Sequence, residues 1–237
     1  TEQWFVSVDE PIRKGAGTGK PMRTLALETT ARDVAFIPEW GRNRMRGMLE
    51  SRPDWCISRQ RSWGLPIPAF FSAAGDALLT PASVRAVARR FREAGSDAWV
   101  LESPKDLLRH YNYASDPDAP KGFDFASAMK SNDILDVWFE SGSSWNSVIR
   151  ERAGRDDTRS FPVDLYLEGS DQHRGWFQSS LLCSLGSTGQ APYRTLLTHG
   201  FIVDKDGKKM SKSVGNTIEV DALLKDVGAE VCRWWVS

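Results

Sequence analysis

The stretch from Val163 to Val203 constrains the fold of this chain more than any other. Val163–Glu168 (VDLYLE) reads as a strand, closed by the turn-forming Gly169-Ser170-Asp171-Gln172. A helical run follows over His173–Leu185, and Thr195–Val203 (TLLTHGFIV) reads as a further strand. Strand, glycine-bearing loop, helix and strand are the order of an α/β sheet, whose binding crevice lies at the strand C-termini. The 237 residues suffice for one large domain or two small ones. With 41% hydrophobic and 26% charged residues, the chain can build a packed core.

The remaining pattern places smaller elements around that unit. Residues 15–20 (GAGTGK) form a Gly-rich turn whose spacing falls short of a phosphate loop, because Lys20 is followed by Pro21. Residues 42–50 carry Met45, Met48 and Leu49 at helical spacing. Trp55–Ile57 reads as a strand, SRQRSWG as a polar loop, and Leu65–Phe71 as another strand. Thr80 and Pro81 open a helix that Gly95 can end, with Val84, Val87 and Phe91 on one face. Residues 97–102 look like a strand, 103–110 a short helix and 112–125 a turn-rich segment, so 72–130 reads as a small α+β insertion. Residues 133–139 (DILDVWF) are strand-like, with Trp138 on the strand. DKDG after residue 203 is a hairpin turn, and 219–236 reads as two short helices broken at Gly228.

Composition excludes several classes of function. Thirty-one Lys and Arg balance 31 Asp and Glu, which argues against a module held to nucleic acid by bulk charge. Cys56, Cys183 and Cys232 form no C-x-x-C pair, so neither a disulfide framework nor a cysteine metal site is expected, and a reducing compartment is. No apolar run approaches the ~18 residues of a membrane span. The chain starts at Thr1 without Met and ends in the aromatic CRWWVS, which reads as a piece of something larger.

Three segments can carry chemistry. Lys208-Lys209-Met210-Ser211-Lys212-Ser213 is a cationic loop suited to neutralising charge on a leaving pyrophosphate. Taken alone, such a run is more often a solvated surface loop. Glu168-Gly169-Ser170-Asp171-Gln172 can bring backbone close to an anion and offer carboxylates to ribose hydroxyls, while plain helix capping explains the same letters. Trp138 and Trp176 could wall an apolar side-chain pocket, against the alternative of ordinary core packing. His199 precedes Gly200 at a strand end; a lone histidine there is more often structural than a base. No nucleophile triad, H-E-x-x-H or metal cluster is present in the sequence.

Together these segments resemble the class I aminoacyl-tRNA synthetases. KMSKS at 209–213 matches that family's second signature. Arg52–Gly64 (RPDWCISRQRSWG), Asp136–Gly142 (DVWFESG), Leu167–Trp176 (LEGSDQHRGW) and Ala191–Phe201 (APYRTLLTHGF) resemble the bacterial isoleucyl branch, in the same order. Valyl and leucyl enzymes share parts of WCISRQ and KMSKS, which keeps them as alternatives, together with a non-catalytic RNA-binding paralogue.

The resemblance implies the second half of a Rossmann-like catalytic domain over 1–71 and 131–218, a connective insertion at 72–130, and the start of a helical region at 219–237. It implies activation of isoleucine by ATP, with Mg2+ arriving as part of the substrate, and then transfer to the isoleucine tRNA. Lys209 and Lys212 would act on the phosphates, with Lys212 and His199 at the ATP. Glu168, Gly169, Asp171 and Gln172 would hold the aminoacyl-adenylate, and Trp138 and Trp176 would line the isoleucine pocket. The resemblance also implies a monomeric cytoplasmic enzyme with no metal site in this chain. The family's His-Ile-Gly-His is absent, since the three histidines are His110, His173 and His199. Editing, anticodon-binding and zinc modules are absent from these residues too, so the chain on its own is expected to have little or no activity.

Overall fold

The computed structural model of the chain describes residues 2–13, 17–151 and 161–236. In chain order the elements are β1 (Phe5–Val6), α1 (Met22–Arg32), β2 (Ala35–Ile37), α2 (Trp40–Glu50), β3 (Trp55–Cys56), β4 (Ser58–Arg59), β5 (Phe70–Phe71) and β6 (Ala77–Leu78). There follow α3 (Pro81–Ala94), α4 (Ala98–Leu101), α5 (Pro104–Leu107), β7 (Met129–Lys130), β8 (Ile134–Leu135) and α6 (Val137–Gly142). The last are β9 (Val163–Gly169), α7 (Trp176–Thr188), β10 (Tyr193–His199) and α8 (Val220–Val236). A π-helical turn spans Trp145–Arg150 and a 3-10 turn spans Ser170–His173.

The sheet that positions the site has the order β2–β10–β9, with both pairings parallel. This is the α/β arrangement the sequence predicts. β9, α7 and β10 form one β-α-β unit, and Glu168 pairs with Thr198 and Gly169 with His199. The loop-bearing end of β9 therefore lies beside the histidine-bearing end of β10.

Alternation along the strands decides which face is covered. Tyr166 points to the helices and stacks on Trp176, with ring centroids 4.2 Å apart and planes 12° from parallel. The Tyr193 hydroxyl donates to the Phe177 carbonyl at 3.0 Å. Met22 and Ala26 of α1 join Phe177, Leu181 and Leu185 of α7 in the core against this face. On the opposite face Ile37, Leu165 and Leu167 remain 52%, 46% and 50% exposed.

A second core is built from Phe70, Leu78, Val87, Trp99, Leu107 and Phe123, under the small sheet β6–β5–β7. Its helix α3 has the ends its sequence predicts. The Thr80 hydroxyl accepts from the Ser83 N–H and the Ser83 hydroxyl from the Thr80 N–H, and Pro81 fills the first turn. Gly95, at φ +79°, closes it. The break expected in α8 is also present, with Gly228 at φ 79° and ψ 163°.

Several elements differ from the sequence reading, each for a local reason. Residues 97–102 contain a helix, α4, rather than a strand. It buries the consecutive Ala98 and Trp99 and exposes Val100 and Leu101. The Lys130 ammonium binds its last carbonyls, at 2.5 Å from Trp99 O and 2.7 Å from Glu102 O. Of the run 65–71 only Phe70–Phe71 forms a strand; Pro66 and Pro68 offer no N–H to a ladder, so the rest is reduced to an isolated bridge from Pro66 to Ile134, flanked by the Leu135 N–H donating to the Leu65 carbonyl and the Ile67 N–H to the Asp133 carbonyl. Conversely, Ser58–Arg59, inside the expected loop, pairs with Ile134–Leu135.

Trp138 lies on helix α6, not on a strand. Asp136 ends the extended run by capping that helix, its carboxylate accepting from the Trp138 N–H at 3.4 Å. The helix expected from His173 begins at Trp176, behind the 3-10 turn. The strand expected over 195–203 ends at His199, and Val203 turns back to bridge Lys209 across the DKDG turn. Of the Gly-rich turn at 15–20, residues 15 and 16 lie outside the described residues, and Gly17–Gly19 form a turn.

Candidate active site

Two parallel strand ends supply the floor of the site. The Glu168 carboxylate stands 3.8 Å from His199 Nε2, and both side chains are about half exposed. Glu168 also accepts the N–H of Gly169 at 3.1 Å. His199 Nδ1 donates to the Gly200 carbonyl at 2.6 Å, because a carbonyl can only accept, which leaves Nε2 as the nitrogen facing the carboxylate. Gly169 is buried; a Cβ there would meet Asp171 Oδ1 at 3.0 Å and the Phe201 ring at 3.2 Å.

The loop after β9 is held from below. Its Ser170 carbonyl accepts two bonds, from Arg44 Nε at 3.0 Å and from His173 Nδ1 at 2.9 Å. The buried His173 ring lies between Trp40 and Phe177. Its Nε2 has no hydrogen-bond partner and faces Gly41, where a Cβ would come within 3.2 Å. Burial lowers the His173 pKa from its ordinary 6.5, the Ser170 carbonyl raises it less, and the Arg44 charge lowers it further. His173 is thus a neutral strut, and Arg44 ties helix α2 to the loop it supports.

Asp171 and Gln172 sit on the 3-10 turn. The Gln172 amide donates to Asp171 Oδ2 at 3.3 Å, and its carbonyl accepts the Trp176 N–H at 2.9 Å. Gly175 lets this packing close up. A Cβ there would lie 2.5 Å from Gln172 Oε1 and 3.2 Å from the Trp138 ring. Trp138 is 43% exposed at the start of α6, against the start of α7. Trp176 is more enclosed: its indole N–H donates to Ser141 O at 2.9 Å and Ser144 Oγ at 3.2 Å, and its ring stacks on Tyr166. Much of Trp176 is therefore structural packing, while Trp138 offers the freer face.

The KMSKS segment is the far arm of a latched hairpin. Asp204 accepts the N–H groups of Asp206 and Lys208 at 2.9 Å each, and Gly207 makes the turn at φ +73°. Asn216 closes the loop by donating to Asp204 at 2.6 Å and accepting the Ser211 N–H at 2.9 Å. These bonds, Asn216 first, hold the Asp204 carboxyl below its ordinary pKa. Lys209 Nζ lies 3.5 Å from the centroid of the Phe201 ring. A cavity of about 950 Å³ opens here, lined by His199, Phe201, Lys209, Met210 and Trp235 among others.

The structure thus brings Glu168, Gly169 and His199 together, with Lys209 beside them. Asp171, Gln172, Trp138 and Trp176 cluster at the start of α7. Lys212 stands exposed on the KMSKS loop, outside the lining of that cavity. Sequence reasoning did not single out Arg44, Asn216 or Phe201. Arg44 acts on a carbonyl 126 residues away in sequence, while Asn216 and Phe201 act through the way the hairpin folds back on itself, and only the signature context around those two gives a hint of their roles.

Comparison with known proteins agrees with the resemblance. The chain matches the family described as tRNA synthetases class I (I, L, M and V) over residues 1–237. It is 48% identical to an isoleucine--tRNA ligase of Aliarcobacter butzleri over 238 residues, covering 100% of this chain and 24% of that protein. The ligases of the same name from Acinetobacter baylyi and Levilactobacillus brevis are 44% and 46% identical over all of this chain, which covers 22% and 23% of them. The chain therefore spans about a quarter of the length of the curated relatives it matches. Among solved structures, a Mycobacterium tuberculosis methionyl-tRNA synthetase bound by methionyl-adenylate aligns at 21% identity and a TM-score of 0.49, over 90% of this chain and 30% of that one. A LeuRS of Agrobacterium radiobacter K84, in a ternary complex with tRNA and LeuAMS, aligns at 19% identity and a TM-score of 0.48, over 74% of this chain and 23% of that one. With a family match along its whole length, this chain belongs to the class I tRNA synthetases of the I, L, M and V group.

Proposed function

We propose that this chain is part of the catalytic domain of an isoleucine-specific synthetase. The enzyme activates isoleucine with ATP, accompanied by Mg2+, and then charges the isoleucine tRNA. The observation that carries the reading is the meeting of Glu168 and His199 at adjacent parallel strand ends, with Lys209 across the same cavity. Identities of 44% to 48% to isoleucine--tRNA ligases over the full chain support isoleucine as the amino acid.

The chemistry asks for positioning and charge, not for a catalytic base. The isoleucine carboxylate oxygen bonds to the α-phosphorus as the bond from that phosphorus to the bridging oxygen breaks, and pyrophosphate leaves with the electron pair. Lys209 and Lys212 neutralise the departing charge, with Lys212 meeting the phosphates as its loop closes over them. His199 borders the nucleotide. Glu168, Gly169, Asp171 and Gln172 hold the adenylate through its ribose and aminoacyl part, and Trp138 with Trp176 borders the isoleucine side chain. On this reading 1–71 and 131–218 form the second half of a Rossmann-like domain. The separate core around Phe70, Val87 and Trp99 supports a connective insertion at 72–130. We place the enzyme in the cytoplasm as a monomer; no helix of the described residues is long and apolar enough to cross a membrane.

The test is amino-acid-dependent ATP–pyrophosphate exchange by the longer enzyme that contains this chain. Isoleucine should give a higher kcat/KM than valine or leucine. A higher value for valine or leucine would reassign the branch, and no exchange with any of the three would favour an RNA-binding paralogue.

A further inference from the structure

Phe201 touches both segments on which the proposed reaction depends. It lies two residues beyond the end of β10, where the chain leaves the sheet. The Lys209 ammonium rests over its ring face, 3.5 Å from the centroid. Its ring edge packs on the backbone of β9: a Cβ at Gly169 would come within 3.2 Å of Phe201 Cε1 and 3.4 Å of Cζ. Among the described residues Lys209 makes no ion pair, and its ammonium rests against the negative face of the ring. Phe201 and Lys209 both line the large cavity, and Glu168, one residue before Gly169, faces His199 across its edge.

We propose that Phe201 is a positioning residue for the activation step. Its ring face seats the Lys209 ammonium beside the nucleotide cavity, and its edge is seated on Gly169. The resting place of the lysine is thereby set relative to the strand end that carries Glu168. The inference rests on the function proposed above. A phenylalanine that merely fills space would need its shape alone. One that seats a cation needs the electron density of its ring, which fluorination withdraws while leaving the shape nearly unchanged.

The seat is tested on this chain alone. The side-chain methylenes of Lys209 should show upfield ring-current shifts by NMR, and Phe201→Leu should return them to ordinary values. Unshifted methylenes in the unaltered chain would overturn the seat, whatever amino acid the enzyme activates. The catalytic consequence is tested in the longer enzyme, by placing mono-, di- and trifluorophenylalanine at position 201. The kcat for pyrophosphate exchange should fall stepwise with fluorine count, and by about 2- to 30-fold in Phe201→Leu, the range of a lost cation–π contact. The KM for isoleucine should stay unchanged, and Phe201→Trp should retain most of the rate. Equal kcat across the fluorinated series would overturn the positioning role. Absence of isoleucine-dependent exchange in the unaltered enzyme would instead remove the function on which that role rests, and the NMR result would still decide the seat.

Discussion

His173 shows how a single residue can serve a site that it does not enter. Its Nδ1–H is spent on the Ser170 carbonyl, and its Nε2 is buried against Gly41 without a partner. Protonating that nitrogen would bury an unpaired charge near Arg44, which is why burial lowers its pKa from 6.5. A lowered pKa means that the unfolded chain binds the proton more readily. The stability contributed by His173 is therefore complete above pH 6.5 and is lost as pH falls from there through the folded-state pKa. Thermal unfolding should show a drop in Tm below pH 6.5 that His173→Asn removes, since the asparagine amide can replace Nδ1–H without titrating in this range. An unchanged pH profile in that variant would contradict the assignment. In the sequence His173 is simply one letter of LEGSDQHRGW, and its role depends on Arg44 and Gly41, which lie more than a hundred residues earlier.

At the scale of elements, the contact between α6 and α7 fixes Trp138 against the start of α7, where Gln172 and Trp176 lie. Gly142 makes that contact close: a Cβ there would lie 2.9 Å from the Ser179 carbonyl carbon and 3.0 Å from its oxygen. Backbone atoms of a packed helix cannot swing aside as a flexible side chain can. Gly142→Ala should therefore cost ~1–3 kcal/mol, the usual range for an overpacked interior. That corresponds to a fall in Tm of roughly 2–12 °C at this size, measurable by circular dichroism. A change below about 1 °C would show that the helices separate freely. Elements with strong local signals were legible in advance. α3 carries its own cap, first-turn proline and terminal glycine, and Gly228 announces the break in α8. α1 was not, because its buried positions include Thr29 and Thr30 beside Met22 and Ala26, which leaves no apolar stripe to read. α4 and the first turn of α6 lie where the sequence predicts strand, although Ile134–Leu135, in the same predicted run as α6, is one. Their partners, Lys130 for α4 and the Asp136 cap for α6, outweigh the strand preference of short apolar runs.

The whole molecule has a sheet with one face packed by helices and the other left with half-exposed Ile37, Leu165 and Leu167. It spans about a quarter of the length of its relatives and lacks a His-Ile-Gly-His segment. Alone, it should support isoleucine-dependent ATP–pyrophosphate exchange at no more than background rate, whereas the longer enzyme should exchange freely. Robust exchange by these residues alone would show that the second half of the site suffices. Zero net charge is consistent with this reading. On the proposed function, the positive charge that acts on substrate is that of three lysines in one loop, Lys208, Lys209 and Lys212. By itself the sequence determined the α/β class, the family, and the segments where chemistry could reside. Those follow from local periodicity, caps and short motifs carried by adjacent residues. Only the tertiary structure decided that Phe201 lies between Gly169 and Lys209, that Arg44 and His173 share one carbonyl, and that Trp176 is mostly packing while Trp138 is free. Each of these depends on which chain segments meet in space, and burial and pairing across the fold set that, not neighbours along the chain.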